Sequence, residues 1–170
     1  MRACINIPLV ILLLSCSAEA QPATFQDSLL DRLIGKWVLR GVIEEKETTH
    51  DIDAQWVLGH QYVQMKEISR EKNAAGAAEY EAIVYIGWDK PSDTYACLWL
   101  DVTGGGGLSA PAIGHAVRSA DKLAFLFKGG DGSIFHTTFL FDKGADTWQW
   151  MMDGEENGKL QSSTDRKTHV

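Results

Sequence analysis

Asp101 and His115 are the residues of this sequence whose types could form an acid–base pair, and Cys97 is a candidate nucleophile. A carboxylate beside an imidazole can hold the ring in one tautomer and let it take a proton from a substrate. Cys97 lies alone in an apolar alternating segment, which is typical of a buried thiol. Because no complete set of nucleophile, base and orienting group is recognisable, we assign no catalytic residue. An enzyme using Asp101 and His115 stays an alternative function.

The histidines raise the question of a metal or haem site. We expect His50 and His60 to lie in solvated turns, and His136 to point away from the more apolar face of its strand. His115 alternates with Val117 and is expected to point inward, which makes it the candidate axial ligand for haem. No spacing in the sequence is typical of a zinc site. We therefore predict no metal and no cofactor, with haem as the alternative.

Six Trp, four Tyr and six Phe form a rich aromatic set, of the kind that lines apolar pockets. Tyr95, Trp99 and Asp101 alternate along one predicted strand and should share a face. Asp101 would either anchor the polar head of a ligand there or bind backbone amides of the glycine run at 104–107. That run is expected to form a mobile portal loop or a plain hairpin tip. The predicted ligand-binding residues are Trp56, Tyr95, Trp99, Asp101, His115 and Trp150.

Trp148, Trp150 and Met152 also alternate on one strand face. Facing inward, they would belong to the core. Facing outward, they would form an apolar patch suited to a homodimer.

Short strands separated by turn residues must position these side chains. The spacing predicts strands at 37–45, 52–58, 62–68, 79–88, 94–102, 114–118, 122–127, 133–141, 147–152 and 160–164. Before them, Thr24 is expected to cap one short amphipathic helix that ends at Gly35. Strands joined in sequence by hairpins indicate an antiparallel up-and-down meander, and closure into a barrel would remove its exposed edges. A sandwich is the alternative, although it usually needs longer crossovers.

The charge balance excludes one class of partner. The chain has 170 residues, with 16 Lys+Arg against 23 Asp+Glu and a formal charge of −7. Because phosphate binding needs clustered Lys and Arg, nucleic acid is not expected as a partner.

The first twenty residues have the pattern of a signal peptide. Arg2 precedes an apolar run at 7–14 that is too short to span a bilayer, and Ala18 and Ala20 suit a cleavage site before Gln21. Residues 1–20 are thus the predicted signal peptide and residues 21–170 the single folded domain, which has no transmembrane segment. Cys16 follows a segment that is similar to a lipobox, so lipid anchoring is an alternative. Either route predicts export, to the periplasm or outside the cell.

Gly35-Lys36-Trp37 opens the first predicted strand directly after the helix. This Gly-x-Trp resembles the opening motif of the calycin superfamily, the lipocalins and their relatives. The resemblance implies that Gly35 and Trp37 form the floor of a barrel and that a cation near the C-terminus, Arg166, lies over the Trp ring. Such a contact would contribute about 1 kcal/mol.

A second resemblance lies in the middle of the chain. Ile86-Gly-Trp-Asp89, Tyr95, Trp99-Leu-Asp101 and the glycine run are similar to a bacterial lipocalin-like domain-of-unknown-function family. This resemblance extends over nearly the whole domain and implies a barrel and export. It implies no activity and no catalytic residue.

Taken together, these patterns predict an exported, lipocalin-like antiparallel β-barrel that binds a small, mostly apolar molecule in its interior. Such a binder should contain a cavity of at least about 300 Å³. A barrel filled by its own Trp and Phe side chains would instead favour a structural or interaction protein.

Overall fold

The computed structural model describes residues 25–43, 46–104, 107–129, 132–156 and 159–169, with the side chains of Pro111 and of residues 155–169 left out. The described chain is all-β, as predicted, with two 3-10 turns at Leu30–Leu33 and Ala110–Ala112. Its strands are β1 (Gly35–Ile43), β2 (Lys46–Val57), β3 (Tyr62–Ser69), β4 (Glu81–Asp89), β5 (Thr94–Asp101), β6 (Ile113–Ala116), β7 (Lys122–Lys128), β8 (Ile134–Asp142), β9 (Thr147–Glu156) and β10 (Lys159–His169).

The strands form one curled antiparallel sheet in meander order. Each strand from β1 to β9 pairs with the next one along the chain, and the weakest of these junctions joins β6 to β7 through His115 and Leu126. The backbone of β10 pairs with β9 and also with four residues of β1, from Val38 opposite His169 to Gly41 opposite Arg166. The predicted hairpin connectivity is therefore confirmed.

Alternation along the strands separates an inner face from an outer one. In β5, Tyr95 and Cys97 are buried, whereas their neighbours Ala96 and Leu98 are only partly covered. In β8, Phe139 and Phe141 are buried, so the predicted inner face of that strand is confirmed. The inner faces together enclose an aromatic and aliphatic core.

The predicted N-terminal helix is not confirmed. In the described part of that segment, the only helical turn is the 3-10 turn Leu30–Leu33. Asp27 caps this turn, since its Oδ1 accepts hydrogen bonds from the amides of Leu29 at 2.9 Å and Leu30 at 3.1 Å. Thr24, the predicted cap, lies outside the described residues. Leu30 and Leu33 are buried against the inner face of the sheet.

The sheet has two different ends. We call the end at which β1 begins the lower end, and the 3-10 turn Leu30–Leu33 covers the inner face there. The opposite, upper end carries the connections β3–β4 and β5–β6. Across the part of the chain that is described, no helix is long and apolar enough to cross a membrane.

Candidate functional site at the upper end of the sheet

Two ionisable side chains are almost completely buried in the upper half of the sheet. His50 of β2 is 2% exposed and Glu67 of β3 is 1% exposed, and the His50 Nδ1 faces Oε1 of Glu67. Burying such groups is costly unless each has polar partners. We call the network around them the upper-end cluster, which consists of Thr48, His50, Glu67, Glu71, Tyr80, Trp99 and Asp101.

The hydrogen bonds of Thr48 fix the proton on the far side of His50. Thr48 Oγ1 lies 2.7 Å from His50 Nε2 and 3.0 Å from Oε2 of Glu71. A hydroxyl has one hydrogen, and the carboxylate of Glu71 can only accept it. Thr48 must therefore accept a hydrogen bond that His50 Nε2 donates. One further proton lies between Nδ1 and Glu67, so this pair is either imidazolium and carboxylate or imidazole and carboxylic acid.

Glu71 is held as an anion by neutral donors. Burial alone would raise the pKa of Glu71, but hydrogen bonds from its own amide, the Thr48 hydroxyl and the Thr49 amide outweigh that effect and lower it. A positive charge on His50 lowers it further. Glu71 is thus ionised at neutral pH, which supports the assignment of the Thr48 proton.

Glu67, His50 and Thr48 have the order carboxylate, imidazole, hydroxyl that nucleophilic triads share. In a working triad, however, the imidazole must accept the hydroxyl proton. Here the Thr48 proton goes to Glu71, and a second carboxylate lies beside the hydroxyl, where an oxyanion intermediate would need hydrogen-bond donors. The arrangement therefore does not favour acyl transfer.

Tyr80 connects the buried pair to Trp99 and Asp101 at the upper end of the sheet. Its ring stacks on His50 with centroids 5.6 Å apart. Its hydroxyl accepts a hydrogen bond from Trp99 Nε1 at 2.9 Å and donates to Asp101 Oδ2 at 3.4 Å. Asp101 Oδ1 also accepts from the amide of Thr103 at 2.8 Å. Of the two roles expected for Asp101, this contact is closer to the binding of backbone amides than to ligand anchoring. The amide, however, belongs to Thr103 and not to the glycine run.

Aromatic side chains line the other side of the upper end. Phe127 of β7 and Phe135 of β8 lie with ring centroids 6.1 Å apart, and Phe135 stays 42% exposed. The ring of Phe127 lies so close over Gly114 that a Cβ there would be 2.5 Å from it. Trp99 is also only partly buried. Solvent therefore reaches inward-facing aromatic residues at this end.

The described side chains below the cluster pack closely together. Trp99 and Trp150 lie with centroids 5.2 Å apart, and Trp150 Nε1 donates to Thr137 Oγ1 at 2.7 Å. A cavity of about 10 Å³ remains among the side chains around Trp37, Phe139 and Trp150. That volume is at the lower limit for one water molecule. Between these described side chains there is thus no room for the deep ligand cavity expected from the sequence.

Tyr95, a predicted ligand residue, instead belongs to the closed lower end. Its hydroxyl donates to Asp27 Oδ2 at 2.6 Å, and Arg118 donates to the same oxygen at 3.0 Å. Arg118 also lies 4.3 Å from the ring centre of Trp88. Burial, followed by the hydrogen bond to Asp27 and its charge, raises the pKa of Tyr95. These contacts give Tyr95 a structural role at the end opposite the cluster.

Two further predicted site residues lie away from the cluster. Trp56 is at the lower end, where its Nε1 donates to Asp31 at 2.9 Å and its ring stacks on His60. His115 is exposed and its Nδ1 lies 3.1 Å from Thr94 Oγ1, so the prediction that it points inward is wrong. The inward residue of β6 is Gly114, which leaves room for Phe127. The proposed Asp101–His115 pair is not formed, because the two residues lie at opposite ends of β5.

Gly35 and Trp37, which were expected to form a barrel floor, lie at the lower end of the sheet. Trp37 is buried and its Nε1 donates to the carbonyl of Leu33 at 2.8 Å, while Gly35 has a φ of +131° that disfavours other residues. The backbone of Arg166 pairs with Gly41 and Trp150, but its side chain lies outside the described residues.

Three further predictions concern which way a side chain points from its strand. Trp148 and Trp150 are buried at 2% and 1% exposure, so the outward apolar patch for a dimer is wrong. Cys97 is fully buried, and burial raises the pKa of its thiol. His136 points outward as predicted and contacts Asp153 at 2.7 Å.

His50 was not among the predicted site residues, because it was expected to lie in a solvated turn. It belongs to β2, because that strand begins at Lys46 and not at residue 52. The signal was its alternation with Ile52, Ala54 and Trp56. Glu67 alternates with Val63 and Met65 in the same way.

Within the described ranges, no group of three or more His, Cys, Asp or Glu residues could hold a metal ion. An open groove of about 430 Å³ lies elsewhere, on the outside of the lower end beside Asp121, Asp142 and Gln149.

Comparison with family models and with curated proteins finds no match to the chain.

Proposed function

We propose that this chain is an exported, lipocalin-like barrel protein that binds a small, mostly apolar molecule at its upper end. One observation carries the proposal: Trp99, Phe127 and Phe135 face inward yet remain partly exposed, at the same end of the sheet as the buried polar pair of His50 and Glu67. Pockets for small molecules combine apolar walls with a few fixed polar groups. The close packing of the described side chains below these rings favours a ligand at the upper end.

Closure of the sheet and membership of the lipocalin-like family belong to this proposal. The four backbone pairs between β1 and β10 support closure, since they join the two ends of the sheet. The Gly-x-Trp at 35–37, packed under the 3-10 turn, supports the family resemblance.

Export rests on the N-terminal sequence. Intact-mass analysis of the protein produced in a bacterial host tests it. Cleavage before Gln21 would leave a chain of residues 21–170, and lipidation would leave Cys16 as a modified N-terminus. An uncleaved chain in the cytosol would contradict export.

A neutral apolar dye, N-phenyl-1-naphthylamine, tests ligand binding at the upper end. We expect its fluorescence to rise on binding, and Phe135→Ala to weaken binding at least fivefold. Leu58→Ala is the matched control, because Leu58 is 73% exposed but lies in the β2–β3 turn at the lower end. Equal dye affinity in wild type and Phe135→Ala would overturn the proposed site.

The close packing of the described inner side chains favours one other function, a structural or interaction protein with no small ligand. Native mass spectrometry of the protein purified from its host distinguishes the two. A retained small molecule supports binding, whereas absence of both retained ligand and dye binding favours the interaction role.

A further inference from the structure

Asp101 has an oxygen that is only weakly satisfied within the chain. Its Oδ1 accepts from the amide and the hydroxyl of Thr103. Its Oδ2 accepts from Tyr80 at 3.4 Å, longer than the 2.5–3.0 Å usual for a bond between two oxygens. Because the side chain is half-buried at the mouth, Oδ2 can accept a stronger hydrogen bond from a ligand.

Glu71 supplies a second carboxylate at the same end. Its two oxygens accept from the Thr49 amide and the Thr48 hydroxyl, both at 3.0 Å. Neither Glu71 nor Asp101 forms an ion pair within the described part of the chain. The described ion pairs are Lys36–Asp53, Lys46–Glu79, His50–Glu67, His60–Asp31, Lys66–Glu81, Arg70–Asp51, Arg118–Asp27 and His136–Asp153.

Three described cations near these two carboxylates are each paired with a different carboxylate: Arg70, which also feels the charge of Glu71, lies 2.6 Å from Asp51, and the other two are lysines. Lys46 lies 2.7 Å from Glu79, and Lys66 lies 3.6 Å from Glu81. His50 is sealed against Glu67 below the ring of Tyr80. Asp101 and Glu71 therefore present negative charge to an incoming molecule at this end, in a chain whose formal charge is −7.

Aromatic rings lie beside these carboxylates. Trp99 donates a hydrogen bond to the Tyr80 hydroxyl, and the same hydroxyl donates to Asp101. The two rings and the Asp101 carboxylate are thus joined by two consecutive hydrogen bonds. Rings of this kind attract cations through their electron-rich faces. An anionic head group would meet carboxylates here, whereas a cationic one would meet carboxylates and rings.

We infer that the ligand is an amphipathic cation, an amine that carries an apolar group. The ammonium group binds Asp101 and the rings of Tyr80 and Trp99, and the apolar group packs on Phe127 and Phe135. This inference rests on the proposed function and names the chemical class of its ligand.

Three probes with the same eight-carbon chain test the inference: octylammonium, octanoate and 1-octanol, each titrated at pH 7 against bound N-phenyl-1-naphthylamine. We expect octylammonium to displace the dye at a concentration at least tenfold lower than octanoate. In Asp101→Asn or Glu71→Gln the difference should shrink to less than threefold. Asp121→Asn, an exposed carboxylate at the lower end, is the control and should keep the full difference.

The outcomes separate the two proposals. Equal displacement by the three probes, or stronger displacement by octanoate, overturns the inference but leaves the site intact if Phe135→Ala still weakens dye binding. A preference for octylammonium that persists in both carboxylate variants also overturns it. If the dye does not bind the wild-type protein at all, the proposed function and the inference fail together.

Discussion

His50 and Glu67 share a proton inside the upper half of the sheet, on two neighbouring strands. The two side chains are 2% and 1% exposed, and the far nitrogen of His50 is committed to Thr48 at 2.7 Å. A buried pair of ionisable groups contributes little net stability, but either member becomes costly when its partner is removed. The pair is therefore best explained by what it positions, which is the ring of Tyr80 at the mouth.

Glu67→Ala should lower the free energy of unfolding by about 3 kcal/mol, because it leaves His50 buried without its partner. Glu67→Gln should cost about 1 kcal/mol, since its amide can still donate to His50 Nδ1. Urea unfolding of the three proteins at pH 7 measures both differences. If Glu67→Ala and Glu67→Gln were equally stable, the hydrogen bond to His50 would not matter.

The double variant His50→Leu/Glu67→Met separates stability from function. It should be more stable than Glu67→Ala, because apolar residues of similar volume remove both buried charges. We expect dye binding to weaken at the same time, as Tyr80 loses the ring on which it stacks. A double variant that binds the dye like the wild type would show that the pair does not position the site.

The strand order could be predicted from the sequence where alternation and turn residues coincide. β5 was predicted to within one residue, because Tyr95, Cys97 and Trp99 alternate between two turns. β2 was predicted too short, since its first half carries Thr48 and His50 on the inner face, and polar inward residues do not give an apolar alternation.

The sequence predicted on which face of the sheet the candidate residues lie, but not at which end of their strands. Tyr95 and Asp101 do lie on the inner face of β5, yet six residues at about 3.3 Å each separate them by about 20 Å. Alternation gives the side of the sheet and not the distance along it. The close packing of the described inner side chains could not be predicted either, because it depends on how rings such as Trp99 and Trp150 pack against each other.

Gly114→Ala should destabilise the fold by about 2 kcal/mol, because its Cβ would lie 2.5 Å from the ring of Phe127. Moving that ring should also weaken dye binding. Gly87→Ala is the matched control: its Cβ would lie 2.5 Å from the ring of Tyr62, which is 44% exposed and can turn into solvent. Urea unfolding and dye titration of both variants measure the contrast. Similar losses in the two variants would show that Phe127 is as free to move as Tyr62.

Cys97 should not react with thiol reagents while the protein is folded. Burial removes the thiol from solvent and raises its pKa, so the reactive thiolate does not form. In a Cys4→Ser/Cys16→Ser variant, Ellman's reagent at pH 8 should label the native protein at least 100-fold more slowly than the protein in guanidinium chloride. Rapid labelling of the folded protein would contradict the packing of β5.

Tyr95→Phe should change how stability depends on alkaline pH. Burial, and then the hydrogen bond and charge of Asp27, raise the pKa of Tyr95 above its ordinary value of 10.0. A raised pKa gives stability that is fully present below pH 10 and is lost as pH rises towards the folded-state pKa. Above pH 10, the unfolded chain loses the Tyr95 proton and the folded chain keeps it. The advantage of wild type over Tyr95→Phe should then fall by about 1.4 kcal/mol per pH unit.

Urea unfolding of both proteins from pH 8 to pH 11 measures this advantage directly. At pH 8 it should be about 1–3 kcal/mol, because the variant leaves Asp27 Oδ2 without the Tyr95 hydroxyl. Subtracting the variant from the wild type cancels the titration of the other tyrosines and of the lysines, which both proteins share. Tyr85→Phe is the control, since Tyr85 is half-buried and its hydroxyl accepts a hydrogen bond from Gln64 at 2.6 Å, away from Asp27. A stability difference between wild type and Tyr95→Phe that stays constant across this range would show that burial and the contact with Asp27 do not raise the pKa of Tyr95 in the folded protein.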